Sequence, residues 1–390
     1  KEKIKIDGIL DEKTWRDTDI AKDFFMITPL DTGYAKQFSE ARVSFNDEFL
    51  YIAIIFFNNS IKGDYIVESL KRDFSFNKND NFLVAIDPFN NQTTGFTFGL
   101  NTYGAQWDST MFDGRSVDLN WDTKWYSEVQ FDEDKWVCEI AIPFKSIRYD
   151  EDSRIWGINF SRLDLKASEK SSWAPVPRQF PSITLAYAGA LVWNDPPPKQ
   201  GNNISLIPFI SENSLKEDPN EIINNFKLGG DIKYNVTSAL NLDVTINPDF
   251  SQAEVDQQIT NLDRFELFFP ERRQFFLENA DLFTNFGYKT IRPFFSRRIG
   301  LQVPITGGVR LSGNLDENWR LGLMDIQTKR DLYQGLNSEN FGVIAIQRKV
   351  LNRSNINFIF INKEPSKDYN ISNNYANRNA GIEYNYFSTD

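Results

Sequence analysis

The sequence predicts an all-β protein in two parts: an N-terminal antiparallel β-sandwich over residues 1–195, then a transmembrane antiparallel β-barrel, truncated, over 203–390. Three observations predict it. The first part is a series of short strands divided by turns, with few helical patterns. The second part carries segments of about 10 residues in which apolar and polar positions alternate, the period of a barrel strand. The connections between those segments alternate long and short, as they do in outer-membrane barrels. Between the parts, Asp195-Pro-Pro-Pro-Lys-Gln-Gly201 reads as a stiff linker, assigned to residues 196–202.

Composition narrows the chemistry. At 390 residues the chain exceeds one ordinary domain, in keeping with two. The net charge of −11, with no basic stripe, argues against a nucleic-acid partner. Histidine does not occur, which removes Ser-His-Asp and Cys-His catalysis and every zinc site that needs imidazole. Cys138 is the sole cysteine, so the chain holds no disulfide framework. No run of about 20 apolar residues could form a membrane-spanning helix. The opening Lys1-Glu-Lys-Ile4 does not read as a signal peptide.

In the sandwich, residues 4–15 predict a strand, a turn at Gly8 and one helical turn that seats Trp15. Residues 41–45 and 49–57 form a hairpin around Asn46-Asp47-Glu48. A strand-like run at 82–87 leads into a tryptophan-rich middle, 95–107 and 120–126. In 136–143, Trp136, Cys138, Ile140 and Ile142 fall on one face and Glu139 on the other, which predicts a half-buried strand ended by Pro143. Residues 154–163 add a strand with Trp156, Ile158 and Phe160 on one face.

Several of these pieces, in their order and spacing, resemble the family 9 carbohydrate-binding module over roughly residues 1–195. They are Ile6-Asp-Gly-Ile-Leu-Asp-Glu-Lys-Thr-Trp15, Leu50-Tyr51, residues 80–87 and 136–143, Trp156-Gly-Ile-Asn159 and Trp173-Ala-Pro175. The resemblance implies a β-sandwich that holds sugars against tryptophan faces. It also implies a frequent structural calcium and frequent attachment to glycoside hydrolases.

In the second part, strands are expected at 204–211, 226–236, 240–247, 305–315, 319–328, 341–349, 356–362 and 380–387. A second soluble sandwich would alternate too. The connections decide between them. Short ones fall at 235–239, 314–318 and 350–354, and long ones at 212–225, 248–304, 329–340 and 363–379. That parity makes the chain enter from the short-turn side, which puts the barrel in the cell outer membrane, among lipid, and the sandwich in the periplasm. Ile246-Asn-Pro-Asp-Phe-Ser-Gln-Ala-Glu-Val-Asp256, residues 268–279 and Phe294-Phe-Ser-Arg-Arg-Ile-Gly300 resemble the uncharacterised outer-membrane barrel domain that follows this module in Bacteroidetes proteins. That resemblance implies place and architecture, and no catalytic chemistry.

Candidate site residues follow from side-chain type and context. Trp107, Trp121, Trp125 and Trp173 lie in polar, turn-rich surroundings, where flat rings suit either sugar stacking or partial burial. Trp15, Trp136 and Trp156 read as core. Asp87, Asn90 and Asn91 could offer oxygen ligands to Ca2+, or form an ordinary turn. The 248–304 insertion is too long for a structureless loop, and its phenylalanines, Phe265, Phe268, Phe275 and Phe276 among them, would not stay in water. Arg272, Arg273, Arg297 and Arg298 flank these rings. The segment reads as a plug in the lumen, its arginines paired to Asp231 and Asp243, or as a packed surface cap. No catalytic constellation stands out. The expected function is that of a non-enzymatic outer-membrane protein whose sandwich binds an oligosaccharide or polysaccharide. Alternatives are a subunit of an envelope transport or secretion complex, its sandwich docking protein, and an accessory to glycoside hydrolysis.

Overall fold

The computed structural model describes residues 3–58, 65–132, 134–199, 204–218, 221–248, 269, 271–287, 291–331, 335–366 and 375–387; for 213, 215–218 and 221–225 it describes the backbone alone. The chain divides into two compact units, Lys1–Gln200 and Gly201–Asp390. The linker is not wholly free. The Tyr149 hydroxyl donates to the Pro198 carbonyl at 2.6 Å, tying the prolines back to unit 1.

Unit 1 consists of two antiparallel sheets. The larger runs in the order β1 (Phe25–Thr28), β11 (Glu169–Ser172), β10 (Ile155–Asp164), β4 (Asn81–Asp87), β5 (Gly95–Asn101), β6 (Gln106–Phe112) and β7 (Ser116–Asp118), with β12 (Gly189–Val192) also on β10. The smaller runs β2 (Ser39–Phe45), β3 (Phe49–Phe57), β9 (Lys135–Pro143) and β8 (Tyr126–Asp132). Ile52, Ile54 and Phe56 of β3 and Trp136, Cys138 and Ile140 of β9 meet Phe82, Val84, Phe98, Trp156 and Phe160 of the larger sheet in one buried cluster. This is the sandwich core. Trp136 stacks on Phe56 with centroids 3.9 Å apart. Cys138 is enclosed there, and burial pushes its thiol well above the usual range.

The expectation of a half-buried β9 fails. Its second face is covered by the N-terminal segment, where Ile4 and, on α1 (Lys13–Asp17), Trp15 pack in one cluster with Tyr51, Ala53 and Ala141. Glu139 is therefore buried, and its carboxylate accepts the Asp7 N–H at 3.0 Å, the Gly8 N–H at 2.8 Å and the Trp15 indole N–H at 2.8 Å. Burial raises its pKa, and these three donors pull against that rise. Gly8 makes this turn at φ +78°, a conformation that costs a residue with a side chain.

Unit 2 is a single antiparallel meander in sequence order: β13 (Ile204–Asp218), β14 (Glu221–Asn235), β15 (Leu240–Ile246), β16 (Ile305–Asn314), β17 (Trp319–Thr328), β18 (Glu339–Val350), β19 (Ser354–Pro365) and β20 (Asn377–Asn385). β13 and β20 are the two edges and do not pair with each other, so among the described residues the sheet is open. Turns at 236–239, 315–318 and 351–353 lie at one end, the end at which β13 begins, since Ile204 pairs with Tyr234. The expected long connection at 212–225 is instead strand, paired through Asp218↔Glu221. Main-chain ladder bonds form without apolar side chains, so a polar run can extend a hairpin that side-chain alternation alone does not reveal.

The two faces of this sheet differ sharply. One carries Leu242 and Val244, Val309 and Leu311, Leu321 and Leu323, Ile344 and Ile346, and Phe358 and Phe360. The other carries Asn241, Asp243 and Thr245, Arg310 and Ser312, Arg320, Gln347 and Asn357. A register shift between Ile305 and Gly307 turns Ile305 onto the polar face, although strict alternation put it with Gly307 and Gly313 on the apolar one.

Candidate functional sites

The four tryptophans expected at a sugar site do not converge. Trp107 is 5% exposed and sits on the face of β6 away from the smaller sheet, under Phe74, Ile183 and Leu185. Trp125 is 4% exposed, against Phe98 in the main core. Both are core residues, and the platform reading is corrected for them. Their polar sequence neighbours misled because the buried Asp108 and the exposed Asp122 are both partners of one arginine. They hold Arg72, whose Nε donates to Asp122 at 2.7 Å, whose Nη1 donates to Gln106 at 2.8 Å, and whose Nη2 donates to Asp108 and to the Thr123 carbonyl. Asp108 also accepts the Thr123 N–H at 2.9 Å. This clamp folds the 119–125 segment over β5 and buries Trp125. Burial pushes the Asp108 carboxyl up to about 6, outweighing the Thr123 N–H and Arg72.

Trp121 and Trp173 stay half-buried. Trp121 leans on Phe96 at 5.1 Å, and Trp173 lies beside Phe160 at 6.0 Å and over Gly189. A Cβ at Gly189 would come within 2.4 Å of the Trp173 ring, so only glycine seats it. A third aromatic group was missed in the sequence. Phe131 on β8 lies 5.8 Å from both Tyr65 and Tyr103, and the Lys166 ammonium sits 3.8 Å from the Tyr65 centroid. Tyr103 is 59% and Phe131 47% exposed, so two of these rings offer open faces. Their sequence signal was slight: a Tyr in the Asn101-Thr-Tyr-Gly104 turn, and a Phe before an acidic hairpin end.

The Asp87, Asn90 and Asn91 set does not fit calcium as it stands. The Asp87 carboxylate accepts the Asn91 N–H at 3.2 Å and the Gln92 N–H at 2.6 Å. Asn91 Oδ1 accepts the N–H groups of Thr93 and Thr94, both at 2.9 Å. Asn90 lies at φ 50°, the left-handed region asparagine tolerates. The oxygens close a turn around a single carboxylate. Among the described residues, no three His, Cys, Asp or Glu side chains group to hold a metal.

The described part of the insertion lies on the polar face of the unit 2 sheet. Phe275 and Phe276 on α2 (Gln274–Leu277), and Leu282 and Phe283 on α3 (Asp281–Thr284), pack with Phe294 and Ile299 on Ile305, Met324, Ile326, Val343 and Ile359. Polar contacts pin them. Arg320 donates to Asp281 at 2.7 and 3.1 Å, Asn279 to Ser312 at 3.2 Å, and Gly287 N–H to Glu383 at 2.7 Å; Asn241 donates to Glu278. The arginine pairing differs from expectation. Arg273 pairs with Glu271 at 2.7 Å and donates to the carbonyls of Ser296 and Ile299, each at 2.7 Å, so it knits the insertion to itself. Asp243 is taken by Arg310 of the sheet at 2.9 Å, and Asp231 by the Thr245 hydroxyl at 2.6 Å. Arg297 lies 5.7 Å from the Phe269 centroid, and Arg298 closes a single 3₁₀ turn beside it. Arg272 follows Glu271, which accepts its N–H at 3.1 Å. Phe265 and Phe268 lie outside the described residues.

Residues 202–320 match the model of a domain of unknown function, DUF5916. No curated protein matches the chain. Among solved structures, the chain is similar to a family 9 carbohydrate-binding module from Caldicellulosiruptor kristjanssonii in complex with cellotriose, with 10% identity and a TM-score of 0.35, over 51% of this chain and 92% of that one. The same organism's module in complex with glucose gives 11% identity and a TM-score of 0.36, over 50% and 92%. A putative carbohydrate-binding protein from Bacteroides uniformis gives 12% identity and a TM-score of 0.37, over 46% and 88%.

Proposed function

We propose that this is a non-enzymatic outer-membrane protein: unit 2 crosses the membrane as barrel wall with the insertion in its lumen, and unit 1 is a periplasmic sandwich that binds glycan. The observation that carries the reading is the division of the unit 2 sheet into a bare apolar face and a polar face covered by the insertion. Ile204, Leu206, Ile210, Leu228 and Ile382 are exposed on the apolar side. A contiguous apolar surface of this kind is not left in water by a soluble monomer. At one margin, a row across four strands runs Trp319, Arg348, Ile356 and Tyr384, and its two aromatic ends are of the type that sits at a bilayer interface. The reading requires further strands to pair the β13 and β20 edges, because lipid cannot satisfy an open ladder. It keeps the short turns and unit 1 on the periplasmic side. For unit 1, the motifs resembling family 9 modules and the exposed Tyr103 and Phe131 faces support a glycan ligand.

Cell-envelope fractionation tests the location. The chain should stay with outer membranes through carbonate or urea washing, and migrate differently on gels when unheated. Release as a soluble, monodisperse protein without detergent would overturn the reading.

A further inference from the structure

The apolar face of unit 2 is not uniform. Its residues fall in rows set by the strand register. Leu323, Ile344, Phe360 and Ala380 form one row, and Leu321, Ile346, Phe358 and Ile382 the next. The row beyond Leu323 changes character: Asp325, Gly342, Asn362 and Arg378. The glycine breaks the wall. A Cβ placed on Gly342 would meet only Asp325 Oδ2, at 3.9 Å, so the space over β18 is open. Beside it is an open hollow of about 460 Å³ lined by Val309, Leu311, Leu323, Ile344 and Phe360 together with Asp325, Gly342 and Asn362. That volume lies in the range of ligand pockets, roughly 300–1,000 Å³. An apolar hollow lined by one exposed carboxylate has the shape and charge of a site for an amphiphile whose headgroup ends in an ammonium group.

Resting on the membrane reading above, we propose that this hollow is a lipid site: it holds one acyl chain of a phospholipid whose headgroup carries a primary amine. The chain lies over Leu323, Ile344 and Phe360. The ammonium sits at Asp325, whose Oδ1 already accepts from Asn340 Nδ2 at 3.1 Å and whose Oδ2 faces the gap over Gly342. An anionic amphiphile, such as a free fatty acid or a phosphatidylglycerol, would meet the carboxylate's repulsion. Arg378, whose Nε donates to Asn362 Oδ1 at 2.9 Å, does not reverse this preference, because its guanidinium is paired with Glu364 at 3.6 Å.

Native mass spectrometry of the full chain, from mixed micelles of equal phosphatidylethanolamine and phosphatidylglycerol, tests the site. The parent should retain one phosphatidylethanolamine, preferred over phosphatidylglycerol by about tenfold, the scale of a hydrogen bond to a charged group. Gly342→Leu sends its side chain into the hollow and should lose the retained lipid. Asp325→Asn should keep a lipid but lose the headgroup preference. Unheated gel migration like the parent's establishes that each variant is folded; if Gly342→Leu does not fold, Asp325→Asn alone decides. Unchanged retention in Gly342→Leu, unchanged preference in Asp325→Asn, or a lipid-free dimer joined through this face would overturn the site. Carbonate extraction of the parent separates the two failures. A chain that stays in the membrane with no lipid preference refutes the site alone, whereas a chain that washes out refutes the membrane reading beneath it.

Discussion

Unit 1 and unit 2 are both antiparallel β, yet they use alternation in opposite ways. In unit 1 the central strands β4, β5, β9 and β10 bury both faces, one in the shared core and the other under loops or the N-terminal segment. In unit 2 the insertion covers the polar face, and the apolar face stays bare. The treatment of buried charge differs too. Glu139 in unit 1 is met by three N–H donors from one neighbouring segment. Arg310 in unit 2 is paired to Asp243 on the adjacent strand and lies over the Phe275 ring of the insertion, 5.6 Å from its centroid. The difference teaches that a period of two reports a two-sided environment without saying which side is water. What covers each face has to come from segments remote in sequence.

The largest effect that could break this comparison is loss of a core ring. Trp136→Ala removes a fully buried indole stacked on Phe56 and should cost unit 1 roughly 3–5 kcal/mol. Phe283→Ala removes a ring of the same depth from the insertion, where it fills the space above Gly322. It should loosen the insertion while β16–β19 keep their ladder. Hydrogen exchange on the full chain in detergent checks both outcomes. Trp136→Ala should raise exchange throughout unit 1, whereas Phe283→Ala should raise it over 271–299 alone. Global exchange in unit 2 after Phe283→Ala would mean that the insertion organises the sheet.

Much of this was legible in the sequence. The short turns at 236–239, 315–318 and 351–353 carry the Asn, Asp and Ser that turns prefer, and the strands beside them alternate cleanly. What was not legible is pairing across long sequence distances. Glu139 read as solvent-facing because its cover lies more than a hundred residues earlier. Trp107 and Trp125 read as either sugar platforms or partly buried rings because what covers them, Phe74, Ile183 and Leu185 for one and the Arg72 clamp for the other, comes from outside the tryptophan-rich stretch. Arg273 was assigned to the sheet because nothing local marks Glu271, two residues away on an irregular segment, as its partner. The β13–β14 extension was hidden because its polar side chains follow no apolar period.

The next effect concerns the Arg72 clamp and pH. Asp108 has a carboxyl pushed up to about 6 by burial, against 3.8 for the exposed group. The folded state therefore holds this proton more tightly than the unfolded chain. Lowering the pH from 7 through 6 toward 4 should add stability to unit 1, by of order 3 kcal/mol at about 1.4 kcal/mol per pKa unit. Every tryptophan but Trp319 lies in unit 1, so tryptophan fluorescence during urea unfolding reads this unit selectively. The midpoint should rise on acidification, and Asp108→Asn should flatten the slope. A midpoint that falls from pH 7 to pH 5 would mean that Arg72 holds the carboxylate ionised against its burial.

The smallest effect sharpens the comparison at the ligand. If the open rings of unit 1 hold sugar, they act at the surface and not in the core, so binding and stability should separate. Tyr103 and Phe131 present faces to solvent, and neither ring fills a core space. An aromatic contact contributes about 1 kcal/mol, so Tyr103→Ala or Phe131→Ala should weaken oligosaccharide binding about fivefold with little change in Tm. Trp121→Ala should weaken binding if the half-buried ring also touches sugar, but it should lower Tm as well, because Phe96 and Phe98 lose a neighbour. Binding is expected to be weak for one or two sugar units, on the order of micromolar to millimolar, since small ligands gain limited energy per atom. Calorimetry against a glycan panel, with melting curves on the same samples, reads both quantities. No heat from any glycan up to about 10 mM, with a normal melting curve, would leave unit 1 as a protein-docking module of the envelope.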